Sequence, residues 1–355
     1  MIVETLSLRE YRSYSRLELR LTPGIVLAVG SNGAGKTNLL ESLHVATQGF
    51  SPRTRSDAQL IRFGEAGALV AVTGEHRGSS VAVEVTLRPG EAKRARLNGA
   101  SLRAAEELRT RLPTLVFTPD RLVIVKGGPA VRRAYFDRTL GRLFPSRAAM
   151  SADYASTLAQ RNGALRRVAA GFSPRDALEP WTGRIAELGA ALVSARSELV
   201  ALLSPAFARA ASALRLEDAE LRYEGTAASP EELEARVEQD LARGSTGAGP
   251  HLHDIAIVAG ERDLRSFGSQ GEQRLAVLSL LLAEVDLLAE RGSAPPLLLL
   301  DDVLSELDPE RRAILAATIR RSGAQALLTA TSAGALPVDP DVLIRVTPGQ
   351  AVASA

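Results

Sequence analysis

Three short stretches of this 355-residue sequence hold residue types and spacings suited to phosphate chemistry. "GSNGAGKT", residues 30–37, fits the pattern G-x-x-x-x-G-K-[ST]. Gly30, Gly33 and Gly35 let the backbone curl, so that the N–H groups of Ser31, Asn32, Ala34 and their neighbours point at phosphate oxygens. The start of the helix that should follow adds its partial positive charge. Lys36 would reach the β- and γ-phosphates of ATP, and the Thr37 hydroxyl would hold Mg²⁺. "PLLLLDD", 296–302, ends a buried strand in two carboxylates. There Asp301 would hold Mg²⁺, through water, and Asp302 would polarise the attacking water. "SFGSQGEQR", 266–274, is a glycine-bearing turn that runs into an apolar helix. Ser269 read alone is a helix N-cap.

Those residues need elements to aim them. Short strands are expected at 5–8, 17–21 and 25–29, the last being "IVLAV", and a helix over about 35–47. Residues 67–73 and 80–87 read as a hairpin around "GEHRGSS", and "TLVFTP" at 114–119 as a strand stopped by proline. From about 123 to 216 the period is helical. Leu188, Leu192, Leu199, Leu203, Phe207 and Leu214 make one apolar stripe, and Tyr154, Leu158, Leu165 and Val168 another. "RGSTGAGPH", 243–251, reads as a linker. Strand and helix then alternate through "IAIVAG", a helix from about 270, "PLLLLDD", a helix from 309 and "QALLTAT". The expected fold is therefore a split α/β domain, residues 1–122 and 245–355, with a helical arm inserted at 123–244.

Composition narrows the class. Hydrophobic content of 45% and charge of 24% describe a globular protein, and there is no cysteine for a disulfide framework or a Cys-type zinc site. The first residues lack a signal peptide's apolar core, and no apolar run approaches a membrane span, so a soluble cytoplasmic protein without a membrane partner is expected. Net charge is only +2 but is unevenly spread. Residues 121–175 hold eleven Lys or Arg against Asp137 and Asp153, whereas 215–240 hold three Arg against nine acids. A basic zone suits a polyanion, although a solvated helix face would look the same. Within it Arg132, Arg133, Arg138, Arg142 and the Arg-rich stretch 161–167 are the candidate contacts to such a polyanion, which would be DNA if the family resemblance given below holds.

A phosphate loop, a separate S-x-G-x-Q turn and an "hhhhDD…LD" segment resemble, in that order, an ABC-type ATPase head. In that family the serine and glycine of the turn, here Ser269 and Gly271, close over the γ-phosphate held by a second copy. "SELD", 305–308, resembles the D-loop along the same interface. Nearly the whole chain resembles the RecF family of bacterial recombination mediators, whose heads are similar to those of SMC proteins. The resemblance rests on "LREYRSY" (8–14), "VGSNGAGKTNLLESL", "VFTPDRLVIVKGGPAVRRAYFD" (116–137), "YASTLAQRN" (154–162), "DLRSFGSQGEQR" and "LLLLDDVLSELD". It implies an ABC-type P-loop head with a helical arm, and a nucleoid-associated ATP-driven homodimer on DNA. It also implies hydrolysis by Asp302 and Lys36, partnership with RecO and RecR in loading recombinase, and roles at replication forks and in the SOS response.

The chain departs from the family in places. "GPHLHD" carries Leu252 and His253 where Arg and Asp are usual. "LLTATSA" offers Thr329 or Thr331 where ABC heads keep a switch histidine. Asp302, one methylene shorter, stands for the usual catalytic glutamate of ABC heads, and this change and the missing histidine point to slow hydrolysis. Gln48 is either a nucleotide-sensing glutamine or a solvent-facing helix end. The competing functions are an ABC transporter subunit, which would ignore DNA, and a P-loop kinase, which needs neither the 266–274 turn nor "SELD".

Overall fold

A computed structural model describes residues 1–291 and 294–354. The chain divides into two compact units, Met1–Arg121 with Leu280–Ala355, and Leu122–Ser279. The first holds two sheets. One runs β2-β1-β4-β5-β6-β7, with β1 Ile2–Tyr11, β2 Tyr14–Arg20, β4 Ala68–His76, β5 Ser79–Leu87, β6 Arg94–Leu97 and β7 Ala100–Ser101. Its pairings are antiparallel, and Leu6, Leu8, Val70, Val72, Val83 and Val85 all face the core at period two. The β4–β5 hairpin turns on Arg77 and Gly78, both at positive φ (54° and 74°). Such a turn matches the twist of the two strands it joins.

The second sheet runs β15-β14-β3-β13-β12-β8, with β3 Ile25–Val29, β8 Thr114–Phe117, β12 Leu297–Leu300, β13 Ala326–Ala330, β14 Val342–Thr347 and β15 Gln350–Ser354. The strands β8, β12, β13, β3 and β14 are parallel and only β15 runs antiparallel. Every residue of β3, β12 and β13 is buried, which is why these segments read as continuous apolar runs. Helix α1, Lys36–Gln48, belongs to the core that joins the two sheets, through Leu39, Leu40, Leu43, Val45 and Ala46.

In the second unit α2 (Pro129–Leu143), α3 (Met150–Ala169) and α4 (Glu179–Ala213) accompany a small antiparallel sheet, β11-β10-β9, with β9 Ala219–Glu224, β10 Asp254–Ala259 and β11 Arg262–Asp263. The apolar stripes meet here: Tyr154, Ile185 and Leu192 form one cluster, with Leu158 and Leu188 packed against it. Three features differ from the sequence reading. Strand β9, Ala219–Glu224, lies in the acidic zone, where its alternating Glu220, Arg222 and Glu224 conceal it. The segment 243–251 is an ordered loop rather than a linker: the Thr246 N–H and hydroxyl both donate to Asn162 Oδ1 at 2.8 Å, and the Gly247 N–H donates to Asp240 Oδ1 at 2.9 Å. Finally, β10 (Asp254–Ala259) pairs with β9, so residues 245–279 group with the arm and the chain rejoins the first unit at Leu280. Helices α5, Gln270–Glu290, and α6, Pro309–Ser322, begin close to the expected positions. No helix among the described residues is long and apolar enough to cross a membrane.

Candidate functional site

The loop 30–37 joins the buried end of β3 to the start of α1. Gly30 lies against β14, where a Cβ would stand 2.3 Å from the Val346 carbonyl. Gly35 takes φ 114°, and a Cβ there would press on the Tyr14 hydroxyl at 3.0 Å. Tyr14 also donates to the Gly35 carbonyl at 3.1 Å. As N-cap, Gly35 offers no side-chain acceptor, so the first N–H groups of α1 have no side-chain cap. That is the state an anion site requires. Lys36 Nζ folds back onto the loop, donating to the carbonyls of Gly30 at 2.7 Å and Ser31 at 2.9 Å. Ser31, Asn32 and Gly33 form the exposed rim, whereas Ala34 is buried.

The first unit brings the second carboxylate stretch to this loop. Thr37 Oγ1 donates to Asp301 Oδ1 at 3.1 Å across 264 residues of chain. The same oxygen accepts the Thr329 hydroxyl at 2.7 Å. Burial pushes the Asp301 carboxyl above the usual aspartate range, and the hydrogen bonds from Thr329 and Thr37 oppose that rise. Asp302 follows in the left-handed region, φ 52°, and its N–H donates to Thr329 Oγ1 at 2.9 Å. Its side chain is exposed and lines a cleft of about 190 Å³ with Ser305, Arg312, Thr331 and Ser332. In "SELD", Ser305 donates to the Asp302 carbonyl at 2.9 Å, and Asp308 caps α6 by accepting the Arg311 N–H at 2.9 Å.

These residues suit a magnesium nucleotide. Mg²⁺ commonly takes one or two oxygens from a protein and the rest from phosphates and water. Thr37 and Asp301 lie close enough to offer such a pair, and no group of three or more His, Cys, Asp or Glu among the described residues forms a fuller cage. Residues that the sequence reading passed over also border the loop. Asn38 donates to Ser13 Oγ at 3.1 Å and accepts Arg53 Nη1 at 3.2 Å. Glu41, fully buried, takes two 2.8 Å bonds from Arg12 and one of 2.6 Å from Ser51. A polar residue inside "LLESLHVA" was the available signal. Gln48 is neither sensor nor solvent-facing: it is buried at the far end of α1, where Nε2 donates to the carbonyls of Thr47 and Leu112.

Ser269 and Gly271 belong to the second unit, at the start of α5. Glu272 accepts the Ser269 N–H at 2.7 Å, and Ser269 Oγ accepts the Glu272 N–H at 3.2 Å. This reciprocal cap and Arg262 hold the Glu272 carboxyl below the usual glutamate range. Gly271 has an ordinary φ, and a Cβ there would meet nothing nearer than Ser269 Oγ at 3.8 Å. Its own unit does not demand a glycine.

A family model described as the RecF/RecN/SMC N terminal domain matches residues 2–354. The chain belongs to the RecF/RecN/SMC family. Within that family it is similar to proteins named RecF. The "DNA replication and repair protein RecF" of Heliobacterium modesticaldum is 34% identical, over 93% of this chain and 92% of that protein. The Rhodococcus erythropolis protein of the same name is 38% identical, over 97% and 92%. A solved structure of "the recombination mediator protein RecF-ATP in RecFOR pathway" superposes with a TM-score of 0.87 at 28% identity, covering 99% of this chain and 97% of that one. The fold is thus that of RecF and of ABC-type ATPase heads.

In this RecF-family chain several basic residues marked as DNA contacts are committed elsewhere. Arg132 is buried and forms an ion pair with Asp254. Arg161 is fully buried and pairs with Asp240 at 2.8 Å. Arg133 donates to the His253 carbonyl at 2.6 Å, and Arg142 to Thr139 Oγ1 at 3.2 Å. Arg138, Arg166 and Arg167 remain exposed. Burial overturns the first two assignments, because a guanidinium enclosed by its carboxylate cannot reach a phosphate. Where the RecF family usually has Arg-Asp, Leu252 is exposed and His253 meets Tyr223 Oη through Nδ1 at 2.8 Å.

Proposed function

We propose that this chain is an ATP-switched DNA-binding protein of recombinational repair and replication. Binding of Mg²⁺-ATP at Gly30–Thr37 and Asp301 would close a twofold dimer on DNA, and slow hydrolysis at Asp302 would release it. The observation that carries the nucleotide reading is the Thr37–Asp301 contact, which joins the phosphate loop to the acid strand. The DNA repair reading rests on relatives named for replication and repair, and on a RecF-ATP structure that spans nearly the whole of both chains. RecO and RecR follow as partners from the pathway named with that structure. The open space at Gly271 and the exposed Phe267 beside it support a partner at the start of α5. In this reading that partner is the γ-phosphate side of a second copy, and the two sites form reciprocally.

Sedimentation with ATP, ADP or no nucleotide, paired with fluorescence anisotropy on duplex and gapped DNA, tests this. A dimer with ATP alone, and DNA affinity that rises with it, is the expected result. Affinity should fall with salt by about 0.9 in log K per log salt for each duplex phosphate neutralised. A protein that stays monomeric and ignores DNA would leave the transporter or kinase reading instead.

A further inference from the structure

We infer that Thr329 is a positioning residue for ATP hydrolysis, holding both acids of the site with one hydroxyl. This rests on the nucleotide reading above. Thr329 lies on β13, the strand beside the one that carries Asp301 and Asp302. It is 1% exposed, too deep to touch a nucleotide. Its Oγ1 donates to Asp301 Oδ1 at 2.7 Å and accepts the Asp302 N–H at 2.9 Å. A hydroxyl has one proton to give, and here it goes to Asp301. Thr329 is therefore no substitute for a switch histidine. Thr331, which lines the cleft with Asp302, faces the space where the reaction would occur.

The arrangement solves two local problems. Asp301 Oδ1 takes donations from both Thr37 and Thr329. Were Thr37 to hold Mg²⁺, Thr329 would still fix the Asp301 carboxylate. Asp302 sits at φ 52°, a conformation that non-glycine residues adopt only at a cost. The bond from its N–H to Thr329 holds it there, which aims its side chain into the cleft. One buried oxygen thus couples the orientation of the metal-side acid to that of the water-side acid.

Thr329→Val keeps the shape and removes the hydroxyl, whereas Thr329→Ser keeps the hydroxyl. The valine variant should hydrolyse ATP roughly 10- to 100-fold more slowly, the scale of one bond to a charged group, with the loss mainly in kcat and KM for ATP raised only as far as the Mg²⁺ contribution to affinity shrinks. The serine variant should recover most of kcat. Calorimetry adds a second readout: ATP affinity in EDTA should be unchanged in both variants, while the gain on adding Mg²⁺ should shrink in valine only. Equal losses in valine and serine would mean that packing matters and the hydroxyl does not, which overturns the inference. So would a valine variant with wild-type kcat and an undiminished Mg²⁺ gain. A wild-type protein that neither binds nor hydrolyses ATP would instead remove the nucleotide reading itself.

Discussion

Arg161→Leu decides between two roles for the most basic part of the arm. Arg161 lies within the Arg-rich stretch whose charge points towards a polyanion, yet its side chain is 0% exposed and that of Asp240 is 1%. Nη1 donates to Asp240 Oδ2 at 2.8 Å and to Thr246 Oγ1 at 2.7 Å. Leucine would leave the buried Asp240 carboxylate with the Gly247 N–H at 2.9 Å but without its ion-pair partner. Breaking a buried pair from one side costs about 3–5 kcal/mol. Arg161 Nη2 already lacks a partner, so losing that unsatisfied donor places the expectation towards the lower figure. At roughly 2–4 °C per kcal/mol for domains of 150–250 residues, the arm should melt about 6–12 °C earlier. Asp240→Asn added to Arg161→Leu removes the orphaned charge and should recover most of the loss. Circular dichroism melting gives the stability, and anisotropy well below the transition gives DNA affinity, which should not change. Wild-type melting combined with weakened DNA binding would refute the reasoning and return Arg161 to the DNA surface.

Lys36→Met should weaken ATP binding by roughly 10- to 100-fold, the worth of a charge-assisted bond to phosphate, and abolish the ATP dimer; calorimetry reporting wild-type affinity would sink this. Asp302→Asn should keep the backbone, because Asn tolerates the left-handed region, while slowing hydrolysis and prolonging the ATP dimer. Turnover at the wild-type rate in a phosphate-release assay would remove Asp302 as the base. Ser269→Arg should leave ATP affinity of the monomer intact but eliminate the ATP dimer in sedimentation. Ser269→Ala serves as its control, since losing the cap on Glu272 alone should cost only about 1 kcal/mol of stability.

Local chemistry made much of this protein readable from its sequence. A glycine loop can cradle phosphate only between a strand and a helix, and "IVLAVGSNGAGKTNLL" contains all three. The parallel strands "IVLAV" and "LLLL" announce themselves because both of their faces are buried. The strands that escaped notice, β6–β7, β9 and β14–β15, are short or alternate with charge, and become strands through pairing, which is local for β6–β7 and β15 but reaches across the chain from β9 to β10 and from β14 to β3. Charge was the least reliable guide. Eleven basic residues in 121–175 look alike in a string of letters, and only packing separates Arg132 and Arg161, enclosed with Asp254 and Asp240, from the exposed Arg138, Arg166 and Arg167. Likewise, Thr329 and Thr331 stand two residues apart on one strand and its exit. The pleat buries the first behind the acids, and the turn beyond the strand leaves the second lining the cleft. Sequence sets which groups are present and which local shapes they favour. Which carboxylate a buried arginine or hydroxyl meets depends on chain segments 28 to 264 residues away, brought together only when the sheets and helices close.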